Sequence, residues 1–136
     1  MAISDASFVI VPVAVPVAVP GVGAGVVVDA AVHMSALHTF DSDLFIQLES
    51  PAGTRITLAD NRGSAGNNFT DTFFGDAAFL PISAGVAPFG GPFRPETPFS
   101  TFDGEPPAGT WQFRIDDQFA SETGTLLEFE LSLCVM

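Results

Sequence analysis

Phe8 to Val19 alternates along its whole length, with Val9, Val11, Val13, Val15, Val17 and Val19 on one face and Phe8, Ile10, Pro12, Ala14, Pro16 and Ala18 on the other. Strict period two predicts a β-strand, about 40 Å long at ~3.3 Å per residue. Pro20-Gly21-Val22-Gly23-Ala24-Gly25 reads as a turn. Val26 to Met34 predicts a second strand, with Val26, Val28, Ala30, Val32 and Met34 on one face and Val27, Asp29 and His33 on the other. Leu44, Ile46 and Leu48 alternate with Gln47 and Glu49, and Arg55-Ile56-Thr57-Leu58 alternates again after Ser50-Pro51-Ala52-Gly53. Proline fixes φ and glycine accepts positive φ, so this unit predicts a hairpin. Trp111, Phe113 and Ile115 predict a core-facing strand. Leu127, Phe129, Leu131 and Leu133 predict the last strand, with Glu128 and Glu130 outward.

Between these strands the pattern breaks down. Asp60 to Thr72 has loop composition, and residues 75 to 107 are punctuated by Pro81, Pro88, Pro92, Pro95, Pro98, Pro106 and Pro107. Phe79, Phe89, Phe93, Phe99 and Phe102 in that stretch predict a loop packed over one end of a sandwich. With 136 residues, 47% hydrophobic, 13 Gly and 11 Pro, the chain reads as one all-β domain able to bury a core. There is no Lys, and 4 Arg face 16 Asp and Glu for a formal charge of −12. Such a surface repels nucleic acid and anionic lipid, and it suits a calcium-rich extracellular setting or plain solubility. Ala6 to Val28 is uncharged, but Pro12, Pro16 and Pro20 each cost about 3 kcal/mol in a helix interior, so no membrane span is read there. Residues 2 to 28 hold no basic n-region and no marked cleavage site, so no secretory leader is read. Cys134 is alone and defines no disulfide framework.

The Phe8 to Val19 strand has two edges of different character. Alternate residues present N–H and C=O to the same lateral edge, so Pro12 and Pro16 remove donors from the even edge only. The odd, valine-bearing residues keep every N–H. The strand therefore either takes an ordinary edge of its own sheet or inserts into a neighbour's sheet as an assembly strand.

Several segments are similar to a known family. His38-Thr39, Asp43-Leu44 and Ser50-Pro51-Ala52-Gly53-Thr54 come first, then Phe69-Thr70-Asp71-Thr72-Phe73-Phe74-Gly75-Asp76-Ala77-Ala78. Ala87-Pro88-Phe89-Gly90-Gly91-Pro92-Phe93-Arg94-Pro95-Glu96 follows, then Gly109-Thr110-Trp111, Ile115-Asp116-Asp117 and Thr123-Gly124-Thr125-Leu126. In this order they resemble the P domain (Homo B domain) that follows the catalytic domain of kexin- and furin-like proprotein convertases. Phe129-Glu130-Leu131 stands where that family usually has Trp-Ser-Leu. The resemblance implies a jelly-roll-like antiparallel β-sandwich over residues 26–136, preceded by a strand and Gly-rich turn at 1–25. It also implies a secreted or cell-surface protein without catalytic activity, whose partner is an adjacent protease domain.

The candidate chemistry is metal binding. No Gly-x-Ser-x-Gly elbow is present, and His38 beside Asp41 and Asp43 is not a triad on local spacing alone. One Cys and two scattered His do not make a zinc cluster. Calcium needs six to eight oxygens on wrapping loops, and Asp41-Ser42-Asp43, Asp71 to Asp76, and Asp116-Asp117 with Glu122 are candidate loops. The resemblance implies Asp43, Asp76 and Asp117 as calcium ligands, with Asp41 and Asp71 in reserve. The alternative is that these side chains cap turns. Trp111 reads as core, with sugar stacking the alternative, and Arg94 as the partner of a carboxylate. Two functions remain open. One is a calcium-binding structural or interaction module that self-assembles through its first strand, which the absence of a catalytic domain favours. The other is the C-terminal stabilising domain of a secreted subtilisin-like protease.

Overall fold

The computed structural model describes residues 1–15 and 25–136. Among these residues nine strands form two packed sheets: β1 Ala2–Ile3, β2 Phe8–Val15, β3 Val27–His38, β4 Leu44–Glu49, β5 Arg55–Asp60, β6 Phe69–Gly75, β7 Gly91–Phe93, β8 Gly109–Asp117 and β9 Gly124–Val135. One sheet runs β1-β9-β3-β6-β7 and the other β2-β8-β4-β5. All pairs are antiparallel except β6 with β7. The only helical elements among the described residues are three short 3-10 turns, at Asp41–Asp43, Ile82–Ala84 and Phe99–Phe102. Among the described residues no helix is long and apolar enough to cross a membrane. The protein is an all-β sandwich.

The core forms where the inward faces meet. Val32 and Met34 from one sheet and Leu44, Ile46, Leu48, Trp111, Phe113 and Ile115 from the other are all fully buried. Phe113 of β8 stacks on Phe129 of β9 with ring centroids 4.1 Å apart, tying one sheet to the other. The Trp111 indole N–H donates to the Pro107 carbonyl at 2.9 Å, so the ring is core with its polar edge satisfied. The β4–β5 hairpin turns at Ser50 to Gly53 as its composition predicts: the Gly53 N–H donates to the Ser50 carbonyl, and Gly53 takes φ +89°.

β2 forms one edge of the four-stranded sheet and pairs with β8 from Phe8↔Asp116 to Val15↔Gly109. Val9 is buried, and Val11, Val13 and Val15 pack against the core, while Phe8 and Ile10 lie outward at 60% and 41% exposure. The Asp117 N–H donates to the Ser7 carbonyl, which makes the odd positions the hydrogen-bonded ones and turns the even edge away from β8. Pro12 thus sits where a free edge would otherwise offer a donor. The remainder of the predicted strand, Pro16 to Val19, and most of the Gly-rich turn lie outside the described residues.

Four expectations are corrected. In β3 Ala30, Val32 and Met34 are buried as expected, but Val27 is buried and Val26 and Val28 are exposed, because a bulge sets Val27 opposite Val135 but Asp29 opposite Cys134. In β9 Leu126 is buried and Leu127 is 55% exposed, for the same reason at a second bulge, where Ser35 faces Glu128 and Ala36 faces Leu126. Phe69 to Thr72 is strand and not loop, buried through Phe69 and Thr72. Phe89, Phe93, Phe99 and Phe102 do pack into the core, but Phe79 is 91% exposed.

Candidate metal centre

β3 ends in His38, a 3-10 turn carries Asp41 and Asp43, and β8 ends in Asp117, so one end of the sandwich collects four of the chain's polar buried groups. The Phe40 N–H donates to His38 Nδ1 at 3.1 Å, which places the ring proton on Nε2. From there it is donated to Asp117 Oδ2 at 3.0 Å, with both side chains buried. Both ring nitrogens are therefore engaged in holding Asp117 and the 39–40 backbone, and neither faces a serine hydroxyl. Asp117 Oδ1 is buried and has no hydrogen-bond partner among the described residues.

Asp43 is a near neighbour of Asp117, since Leu44 is in register with Asp117 and the Gln118 N–H donates to the Asp43 carbonyl at 2.9 Å. Its carboxyl is held above the ordinary range first by burial and then by the Asp117 charge, with Glu122 and Asp5 adding to the repulsion and His38 opposing it. Asp43 and Glu122 line an open cleft of about 270 Å³ with Phe40 and Phe119. Thr39 Oγ1 bonds the Glu122 carboxylate, and Asp5 Oδ1 accepts from the Ser121 N–H. The segments leading into β2 and β9 thus bring Asp5 and Glu122 to the same end as Asp43 and Asp117.

Asp41 lies on the other side of the turn, under the loop of residues 61–68. Its N–H donates to the Gly66 carbonyl and its Cβ packs where a side chain at Gly63 would have to be. It is fully buried, and neither carboxylate oxygen has a partner among the described residues. Burial pushes its carboxyl up to about 7; the nearby Asn68 N–H, which is donated to the His38 carbonyl and not to this carboxylate, opposes that only weakly. Orphaned buried carboxylate oxygens are unstable as anions unless a cation or proton completes them.

The other two predicted ligands are elsewhere. Asp76 caps the 3-10 turn at Phe99–Phe102: its two oxygens accept the N–H groups of Phe99 and Ser100 at 2.8 and 2.9 Å. Asp71 sits on the outward face of β6, 3.3 Å from His33 Nε2. Asp41, Asp43 and Asp117 come to one end of the sandwich, and Asp71 and Asp76 do not join them. Glu122 was legible as a loop carboxylate beside Asp116 and Asp117, but Asp5 was not, because its contact with Ser121 joins opposite ends of the chain. Arg94 makes no ion pair among the described residues and is tied by its backbone to Leu80 and Ile82. The Glu96 two residues on takes Arg62 instead, at 2.6 and 2.9 Å.

Among solved structures, the serine protease of Aeromonas sobria is similar over 97% of this chain, at 20% identity and TM-score 0.55. The same protease in complex with its chaperone is similar at 20% identity and TM-score 0.57. The chain spans 24% of the length of those protease chains. No curated protein matches. The proprotein convertase P-domain family matches residues 27–133, from the first residue of β3 almost to the end of β9. The chain belongs to the proprotein convertase P-domain family.

Proposed function

We propose that the chain is a non-catalytic accessory domain of a secreted or cell-surface, subtilisin-like serine protease, and that calcium stabilises it. Family membership carries the reading, together with the quarter share of a serine protease chain that the fold spans. Catalysis has no support in the geometry, since His38 spends both nitrogens on Phe40 and Asp117. Fused behind the catalytic domain it accompanies, the chain is expected to raise the thermal inactivation midpoint of that domain. An unchanged midpoint overturns the accessory role. A fluorophosphonate probe is expected to label no serine of the isolated chain, and labelling lost on mutation of a single serine overturns the non-catalytic reading.

Calcium fits the Asp43–Asp117 end, where one carboxylate oxygen is orphaned and Glu122 and Asp5 supply further negative charge. A hard divalent cation takes oxygen ligands and removes the repulsion that raises Asp43. Asp41 fits by the same test on the 61–68 side of the turn. Self-assembly through the first strand is the weaker reading. Residues 8–15 already pair with β8 and turn their valines inward, so in this segment only the Phe8 and Ile10 face remains as large exposed apolar surface to drive insertion into a neighbour.

A further inference from the structure

The outward face of the five-stranded sheet carries a second constellation, remote from Asp43 and Asp117. His33 is on β3, the central strand, with β9 on one side and β6 on the other. Asp71 comes from β6 and Glu128 from β9, so three adjacent strands each contribute one group. One ligand atom from each lies within 4.8 Å of the other two. Regular register puts Glu128 on this face, two residues from Glu130, which is opposite His33, and bulges lie at the margin of the cluster. The β3–β6 register shifts between Met34 and Ala36, and the Asp71 N–H is bonded to Ser35 Oγ at 2.9 Å. The β3–β9 register shifts between Ser35 and Ala36, directly after Glu128.

His33 Nε2 and Asp71 Oδ1 are 3.3 Å apart. That is longer than a well-formed N–H···O bond, but a tetrahedron with bonds of about 2.0–2.1 Å has edges of about 3.3–3.4 Å. The donor set is one imidazole nitrogen and two carboxylates. An imidazole suits zinc, nickel and copper and is a poor ligand for calcium, which takes oxygen. Arg55 and Arg62 are committed to Glu49 and Glu96, so neither neutralises the patch. Glu130, in register with His33, adds a further negative charge beside it.

We propose that His33, Asp71 and Glu128 form a surface site for a divalent transition metal of the zinc class, with water in the remaining position. The site is independent of the calcium reading, because it uses a different face and a different donor set.

Zinc titration of the full chain decides it, with Cys134→Ser introduced to remove the exposed thiol and millimolar calcium present throughout. One zinc per chain is expected to bind at micromolar concentration, undisplaced by calcium. His33→Ala, Asp71→Asn and Glu128→Gln are each expected to weaken it at least about tenfold, while Asp103→Asn, exposed and elsewhere, leaves it unchanged. Circular dichroism melts confirm that each variant is folded, and His33→Gln serves if His33→Ala is not. The site is overturned by absence of saturable zinc uptake, by displacement with calcium, or by any of the three variants keeping the parent affinity. Calcium binding at the other end can fail without altering any of these outcomes.

Discussion

Asp76 and Asp117 differ in what their oxygens touch, and that decides what each carboxylate is for. Asp76 satisfies two backbone N–H groups at the start of a turn. Asp76→Ala is therefore expected to cost about 1–2 kcal/mol in urea unfolding, equally with and without calcium. A loss seen only with calcium would return Asp76 to the ligand set. Glu96 makes a second residue-level case. The Arg62 bond, first among its causes, holds its carboxyl below the usual 4.5. A depressed folded pKa gives stability that is present above about pH 4.5 and is lost as pH falls through the folded value. Arg62 is partly exposed, so the pair is worth about 0.2–1 kcal/mol. Unfolding midpoints of Glu96→Gln and the parent are expected to converge on acidification below that window. Divergence there refutes the linkage. In the sequence Arg94-Pro95-Glu96 was visible, yet Glu96 takes Arg62, because pairing follows the 61–68 loop and not the local motif. Asp43 and Asp117 were legible through the resemblance, at its Asp-Leu and strand-end Asp positions. Asp5 was not, since its neighbour Ser121 is at the far end of the chain.

At the level of elements, β2, β4 and β8 were legible because each shows unbroken alternation across buried positions, and their inward faces are the expected ones. β3 and β9 were legible as strands but not in their full facing, because a bulge is one extra residue with no compositional mark. β6 was missed because Phe69-Thr70-Asp71 follows a Gly- and Asn-rich stretch that reads as its continuation. His33, Asp71 and Glu128 come from three different strands, so counting only Cys and His could not reveal that cluster. β2 supports an element-level prediction. Pro12 is on the even edge facing away from β8, where a donor would let another chain's strand pair. Pro12→Val should leave the unfolding midpoint nearly unchanged, within about 0.5 kcal/mol. It should also promote concentration-dependent association, read by light scattering, under conditions where the parent scatters less. Equal scattering by parent and variant would show that Pro12 does not protect the edge.

For the whole molecule the governing quantity is charge. A formal −12 with 4 Arg and no Lys loads the folded state with self-repulsion, and the Asp43–Asp117 end concentrates it. Two remedies are physically distinct. Monovalent salt screens all exposed charges, with a Debye length of about 8 Å at 0.15 M. It cannot complete the coordination of an orphaned buried oxygen such as Asp117 Oδ1. A bound divalent cation does both, and because it binds only the native state it adds about 2.7 kcal/mol at 100 times its Kd. For a chain of this size that is about 8–12 °C in the thermal midpoint. Calcium is thus expected to raise the midpoint in sodium chloride that already screens the surface, and chelation to lower it again. Asp43→Asn, which removes a charge without removing bulk, is expected to blunt the calcium response while raising stability in chelator, since it relieves the repulsion from Asp117. An unchanged midpoint on chelation, or a calcium effect that sodium chloride reproduces at matched ionic strength, reduces the cluster to general charge repulsion and removes calcium from the fold.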